Sequence, residues 1–230
     1  MKVNGIDIRK YNAVQLTAEV LPPSLSVNYE IITGAIVPLE FDTDMQLGQL
    51  KLCIYFRGDD RNRIVRSMSS FLQEFAKSAV LEVDGYKGKF KAFAASSDYE
   101  KMKVKTRYKL NLVLEGYFYD DEICMEYSGT SATIKREGTR KVPVILEITA
   151  NSALTDFSIS GFEDDITISS LAAGKTIVID GEAGMVTVDG EAAFETVSIW
   201  TFPELDEKET KLTFSSGTAT VKVRYQPMWI

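Results

Sequence analysis

Gly174-Lys-Thr-Ile-Val-Ile-Asp-Gly181, followed by Met185-Val-Thr-Val-Asp-Gly190, decides the fold of the second half of this 230-residue chain. Ile177 and Ile179 occupy alternate positions, Val186 and Val188 do the same, and the two runs oppose each other across Gly181-Glu-Ala-Gly184. A period of two places one face of each run in a core, so the spacing predicts an antiparallel hairpin. The pattern recurs on both sides of it. Val142, Val144, Leu146 and Ile148 share a parity, as do Phe157 and Ile159, Ile166 and Ile168, Leu212 and Phe214, and Val221, Val223 and Tyr225. About seven short strands with glycine turns and no helical pattern predict an antiparallel sandwich or jelly roll.

The first half reads differently. Val14, Leu16, Ala18 and Val20 form one alternating strand, and Leu50, Leu52, Ile54 and Phe56 another, with further strands expected over 25–33 and 36–41. After Gly58-Asp-Asp60, the run Arg61 to Ala79 places Ile64, Val65, Met68, Phe71, Leu72, Phe75 and Ala79 three and four apart. That spacing predicts one amphipathic helix lying on the sheet, capped by Asp59 or Asp60. Val80–Val83 and Tyr86–Phe90 flank Asp84-Gly85, a pair suited to a two-residue hairpin turn. After a looser patch at 96–98, Lys101 to Glu115 reads as one long strand. Its apolar parity is Met102, Val104, Tyr108, Leu110, Leu112 and Leu114. Its other parity is Lys101, Lys103, Lys105, Arg107 and Lys109, a row of five cations on one face. The strand ends in Gly116-Tyr-Phe-Tyr119, and a domain boundary is expected after Glu122, giving domains 1–122 and 123–230. The expected fold class is mainly β: an N-terminal β-sandwich with one amphipathic α-helix, then a second β-sandwich.

Composition narrows the function. Hydrophobic residues make up 45% and charged residues 26%, which is ordinary for a globular protein. The formal charge of −7 is unevenly spread: 1–122 carries 17 basic and 17 acidic side chains, and 123–230 carries 9 and 16. No uniformly basic surface is expected, which argues against tight nucleic-acid binding. Met1–Asp7 has no apolar core of signal-peptide length, and no window reaches membrane-spanning length, so the chain is expected to stay where it is made, without membrane insertion. Cys53, in an apolar run, reads as a buried free thiol, and two cysteines make no disulfide framework.

Histidine is absent, which removes Ser-His-Asp and Cys-His triads and the commonest metal ligand. No glycine-rich phosphate loop, zinc spacing or calcium-loop pattern occurs. No cofactor is expected. The remaining candidates for chemistry are Glu163, Asp164, Asp165, Asp180, Glu182 and Asp189, which are placed by composition in turns and loops rather than in a catalytic pair. Trp200 and Trp229, the only tryptophans, read as core or interface before they read as a sugar platform. Charge offers a better lead. Residues 86–110 hold eight basic and two acidic side chains, and 150–217 hold three and thirteen. Opposite patches on one molecule suit a heterologous, head-to-tail contact of the kind that closes into rings.

Several stretches resemble the distal tail protein family of long-tailed bacteriophages. In the first half they are Phe56-Arg-Gly-Asp-Asp60 with its helix, Val83-Asp-Gly-Tyr-Lys-Gly-Lys89, and the strand ending Gly116-Tyr-Phe-Tyr119. In the second they are Ile179-Asp-Gly181, Val188-Asp-Gly190, Phe202-Pro203, Lys211–Phe214 and Val221-Lys-Val-Arg-Tyr225 with Trp229. The resemblance implies a non-enzymatic virion protein, assembled in the host cytoplasm, whose N-terminal domain forms a hexameric ring and whose C-terminal domain is galectin-like. It implies partners in the tail tube protein and in tail-tip hub or receptor-binding proteins. One departure is the charged Leu205-Asp-Glu-Lys-Glu209, where many relatives carry a Pro-Gly-Asn type of turn. The expected assembly residues are Lys101, Lys103, Lys105, Arg107 and Lys109 with Tyr117, Phe118 and Tyr119, large aromatics being enriched at buried interfaces. A ring lumen is a second place for the lysines, but a channel that lets DNA slide avoids tight phosphate contacts. A carbohydrate-binding module and a polysaccharide hydrolase are the alternatives from other functional classes.

Overall fold

The computed structural model describes residues 1–23, 25–34, 36–206 and 208–229. The chain is mainly β and divides into two compact units, Met1–Tyr119 and Asp120–Trp229.

The first unit contains β1 (Lys2–Val3), β2 (Ile6–Asp7), β3 (Ala13–Leu21), β4 (Leu25–Glu30), β5 (Leu39–Met45), β6 (Gly48–Arg57), α1 (Arg61–Leu72), β7 (Ala79–Glu82), β8 (Lys89–Lys101) and β9 (Arg107–Tyr119). One antiparallel sheet runs β2-β1-β7-β8-β9-β6-β3, and among the described residues β4 and β5 pair only with each other. At its centre Leu50, Leu52, Ile54 and Phe56 of β6 stand opposite Leu114, Leu112, Leu110 and Tyr108 of β9, and all eight are buried. Helix α1 covers this face with Ile64, Met68 and Phe71. Phe71 is fully buried and meets Tyr11, Phe56 and Phe75 edge-on at 5.7, 5.7 and 5.4 Å. Asp60 caps the helix by accepting from the Arg63 N–H at 3.2 Å.

Local differences from the sequence reading have physical causes. The helix stops at Leu72, with a 3-10 turn over Gln73–Phe75, because Asn4 intervenes. Its amide donates to the Glu74 carbonyl, its side-chain oxygen accepts from the Val80 N–H, and Ala79 is thereby drawn into β7. Val65 stays half exposed, so the buried stripe is narrower than the spacing suggests. Asp84-Gly85 does form a tight turn, closed by the Tyr86 N–H on the Val83 carbonyl at 3.2 Å with Gly85 at φ 93°, but β7 and β8 are joined through 83–88 rather than by these two residues alone, and Gln15 bonds both backbone groups of Asp84. Residues 96–98 lie inside β8. Cys53 is half-buried, on the parity opposite Leu52 and Ile54, and Cys124 is exposed; both thiols are free.

The second unit contains β10 (Ile123–Ser128), β11 (Ser131–Lys135), β12 (Val142–Ala150), β13 (Leu154–Ser160), β14 (Ile166–Leu171), β15 (Thr176–Asp180), β16 (Met185–Val188), β17 (Glu191–Ala192), β18 (Val197–Ser198), β19 (Glu204–Leu205), β20 (Glu209–Phe214), β21 (Ala219–Tyr225) and β22 (Met228–Trp229). One sheet runs β10-β21-β12-β15-β16-β17 with β19 beside β12, and the other runs β11-β20-β13-β14-β18. Most of the longer strands bury one parity: Val142, Val144, Leu146, Ile148 and Ala150 on β12, and Phe157 and Ile159 on β13. Two sheets with one buried face each are the layers of a sandwich. The opening hairpin has the register expected of it, Ile177 opposite Val188 and Ile179 opposite Val186. The sequence reading missed β10 and β11, where Cys124 and Glu126 are exposed and only Ala132 and Ile134 give β11 a buried parity.

Candidate assembly surface

The five cations do not share a strand. β8 ends at Lys101, a turn occupies 102–106, and β9 begins at Arg107. The Met102 N–H reaches the Arg107 carbonyl at 3.2 Å and the Arg107 N–H reaches the Val104 carbonyl at 3.0 Å, which closes the chain on itself. Lysine at every second position mimicked strand alternation, while Val104, at the apex, is about half exposed and fills no core. The correction concentrates the charge. Lys101, Lys103, Lys105 and Arg107 now crowd one hairpin tip instead of being spread along a face. Among the described residues, ion pairs form elsewhere and reach none of these four or Lys109. Arg57 stands directly opposite Arg107 in the β6–β9 register, and like charges in that position are unfavourable by some tenths of a kcal/mol.

Beside this tip lies an apolar recess of about 310 Å³ between α1 and the β8–β9 hairpin. Val65, Met68 and Leu72 line one wall, Tyr99 and Tyr108 the other, and Arg61 and Lys101 stand on its rim. The i, i+3, i+7 spacing on α1 puts its three wall residues along one side of the helix. Lys101 also lies over the Tyr99 ring, 5.9 Å from its centroid.

Tyr117, Phe118 and Tyr119 occupy the other end of β9, about 40 Å away by the strand rise, so the two groups do not form one site. Phe118 turns inward, stacked on Tyr86 at 5.5 Å and edge-on to Phe90 at 5.0 Å. Tyr117 and Tyr119 point to the other face, 6.3 Å apart, with Phe93 5.7 Å from Tyr117. All three are half-buried. Gly116 sits where β8 bulges between Ala92 and Ala94, and a Cβ there would lie 1.9 Å from the Lys91 carbonyl oxygen.

Three of the six candidate carboxylates, Asp164, Asp180 and Asp189, serve local structure. Asp180 accepts from the N–H groups of Glu182 and Ala183 at 2.9 Å, shaping the turn after β15. Asp189 pairs with Lys175 at 2.6 Å and accepts from the Thr176 N–H, and both contacts hold its carboxyl below the ordinary value. Asp164 accepts from the Thr201 hydroxyl. The tryptophans are both outside the core: Trp200 is 91% exposed, and Trp229 donates to Asp120 at 2.7 Å.

Residues 137–229 match the family described as Siphovirus-type tail component, C-terminal domain. No curated protein matches the chain. Among solved structures, the Dit protein of phage SPP1, described as a paradigm of the hub adsorption apparatus in phages infecting Gram-positive hosts, superposes with a TM-score of 0.76 at 10% identity. That superposition covers 99% of this chain and 98% of that one. The phage P2 baseplate in its activated conformation with Ca gives 0.42 at 10% identity over 95% and 92% of the two chains. Over residues 137–229 the chain is therefore similar to the siphovirus-type tail component C-terminal domain, and from end to end it shares its fold with the SPP1 Dit protein.

Proposed function

We propose that this protein is a structural, non-catalytic component of the tail of a long-tailed phage, forming a ring of six copies that joins the tail tube to the host-adsorption apparatus. The observation that carries the reading is the family match over 137–229 embedded in an end-to-end fold likeness to a hub protein. On this reading the first unit forms the ring and the second, galectin-like unit sits outside it. The Lys101–Lys109 tip and the Tyr117–Tyr119 group act as two separate contact regions, one electrostatic and one aromatic. Partners are the tail tube protein on one side and hub or receptor-binding proteins on the other. Native mass spectrometry of the full chain tests it: six copies are expected, and a monomer at every concentration, with purified tail tube protein added or not, overturns it. The exposure of Trp200 favours a second contact on the outer unit, which a glycan or a receptor-binding protein would occupy.

A further inference from the structure

We propose that the first unit binds a phosphate dianion, free or carried as a monoester, between Arg57, Arg63 and Arg107 at the base of the β8–β9 tip. The site lies within one copy, so it stands or falls independently of the ring reading.

It is a polar pocket of about 480 Å³ where the end of β6, the start of α1 and the start of β9 meet. Backbone hydrogen bonds fix its walls. The Arg57 N–H donates to the Asn12 carbonyl at 3.2 Å, and the Gly58 N–H donates to the Thr106 carbonyl at 3.3 Å. Gly58 also lets the chain turn closely into α1, since a Cβ there would lie 2.8 Å from Cγ1 of the buried Ile64.

Local electrostatic rules are broken here repeatedly. Arg57 and Arg107 close the β6–β9 ladder as directly opposed like charges. Helix α1 opens with Arg61 and Arg63 and has no acid in its first turn, although the positive end of a helix favours carboxylates. Among the described residues neither Arg57 nor Arg107 has an ion pair, and Arg63 has only Asp59, at 4.0 Å with both side chains largely in solvent. Departures of this kind gather at functional sites.

The missing element is negative charge, and its amount can be counted. Three guanidinium groups, Arg57, Arg63 and Arg107, less the one carboxylate of Asp59 leave two positive charges on the pocket wall. A phosphate dianion balances them, whereas a single carboxylate does not. Guanidinium forks bind phosphate oxygens in pairs, and several forks around one pocket call for more acceptors than a carboxylate offers. Asn12, Tyr55 and Thr106 line the same space and supply neutral donors for the remaining oxygens. The volume is that of a small-molecule site rather than of a bare ion, so an ester group is accommodated.

The test is calorimetric titration of the full chain at fixed ionic strength with inorganic phosphate and with glycerol 3-phosphate. A Kd of about 1 mM or tighter is expected for at least one of them, together with a Tm that rises with ligand concentration. Tighter binding of the ester assigns the site to monoesters, and the reverse assigns it to free phosphate. R57Q and R107Q are each expected to weaken binding by about tenfold, and neither lowers Tm without ligand, because each removes a like-charge contact. Affinity for the ester should fall below about pH 6, where it loses its second charge. Absence of binding by both ligands overturns the site. Equal weakening by K103Q/K105Q, which alters the same tip outside the pocket, shows attraction to the tip at large and also overturns it. Tighter binding of succinate, or of a short single-stranded oligonucleotide, overturns the phosphate dianion as the ligand.

Discussion

Replacing Phe71 by alanine tests whether α1, one wall of the recess, is held through a single side chain. Phe71 is fully buried and has three aromatic rings edge-on within 5.7 Å. Buried Phe→Ala changes cost about 3–5 kcal/mol with the lost ring contacts included, so about 4 kcal/mol is expected. For a unit of this size that lowers Tm by roughly 10–20 °C. The assay is selective because both tryptophans lie in the second unit. Tryptophan fluorescence follows that unit, while near-ultraviolet circular dichroism from tyrosine includes the first. The early dichroism transition is expected to move, and the fluorescence transition to stay. Phe71→Leu, which keeps most of the volume, should cost about 1.5 kcal/mol or less. A loss below 1 kcal/mol for Phe71→Ala would refute the anchoring role, and an equal shift in both signals would refute separate unfolding.

The Tyr11 hydroxyl donates to Glu74 at 2.7 Å, which pushes the phenol from 10.0 up to about 12 and, together with Asn4, holds the Glu74 carboxyl below its ordinary 4.5. The carboxyl's contribution is therefore present above about pH 4.5 and lost as pH falls through its lower folded value, and the phenol's is present below pH 10 and lost as pH rises towards 12. Tyr11→Phe should cost about 1–2 kcal/mol at pH 7 by denaturant titration, with the difference shrinking at both extremes. Gly116→Ala places a Cβ 1.9 Å from the Lys91 carbonyl oxygen in the middle of the sheet, so a loss of about 3 kcal/mol or a failure to fold is expected, read as soluble yield and Tm. Trp200→Ala should leave Tm within about 1–2 °C, since an exposed ring supports little core. If Trp200 belongs to an outward contact, the same change abolishes glycan or receptor-binding-protein binding measured by titration calorimetry.

Much of the second unit was legible because most of its strands bury one parity. Nothing competes with a period of two on β12 or β15, and their register follows from the pattern. The helix was legible for the same reason, but its end was not, because Asn4 terminates it from about seventy positions away. The basic site was misread where charge imitated alternation: lysines at 101, 103 and 105 carry no information about burial, so a turn looked like a strand. The pair β4 and β5 was visible only as two weak apolar runs. How two strands pair is what single-chain periodicity lacks.

The pairing of β10 with β21 has a kinetic meaning. Ile123 stands opposite Tyr225 and Ser128 opposite Thr220, so the second unit's first and last long strands are neighbours, and the chain passes repeatedly from one sheet to the other between them. Its sandwich cannot be completed on a ribosome that has not yet released residue 225. The seven strands β2-β1-β7-β8-β9-β6-β3 of the first unit all precede residue 120 and have no such wait. Translation order thus gives the growing chain a finished N-terminal scaffold while about a hundred residues of unpaired β-strand remain exposed, and it is in that interval, rather than in the mature protein, that aggregation is most probable.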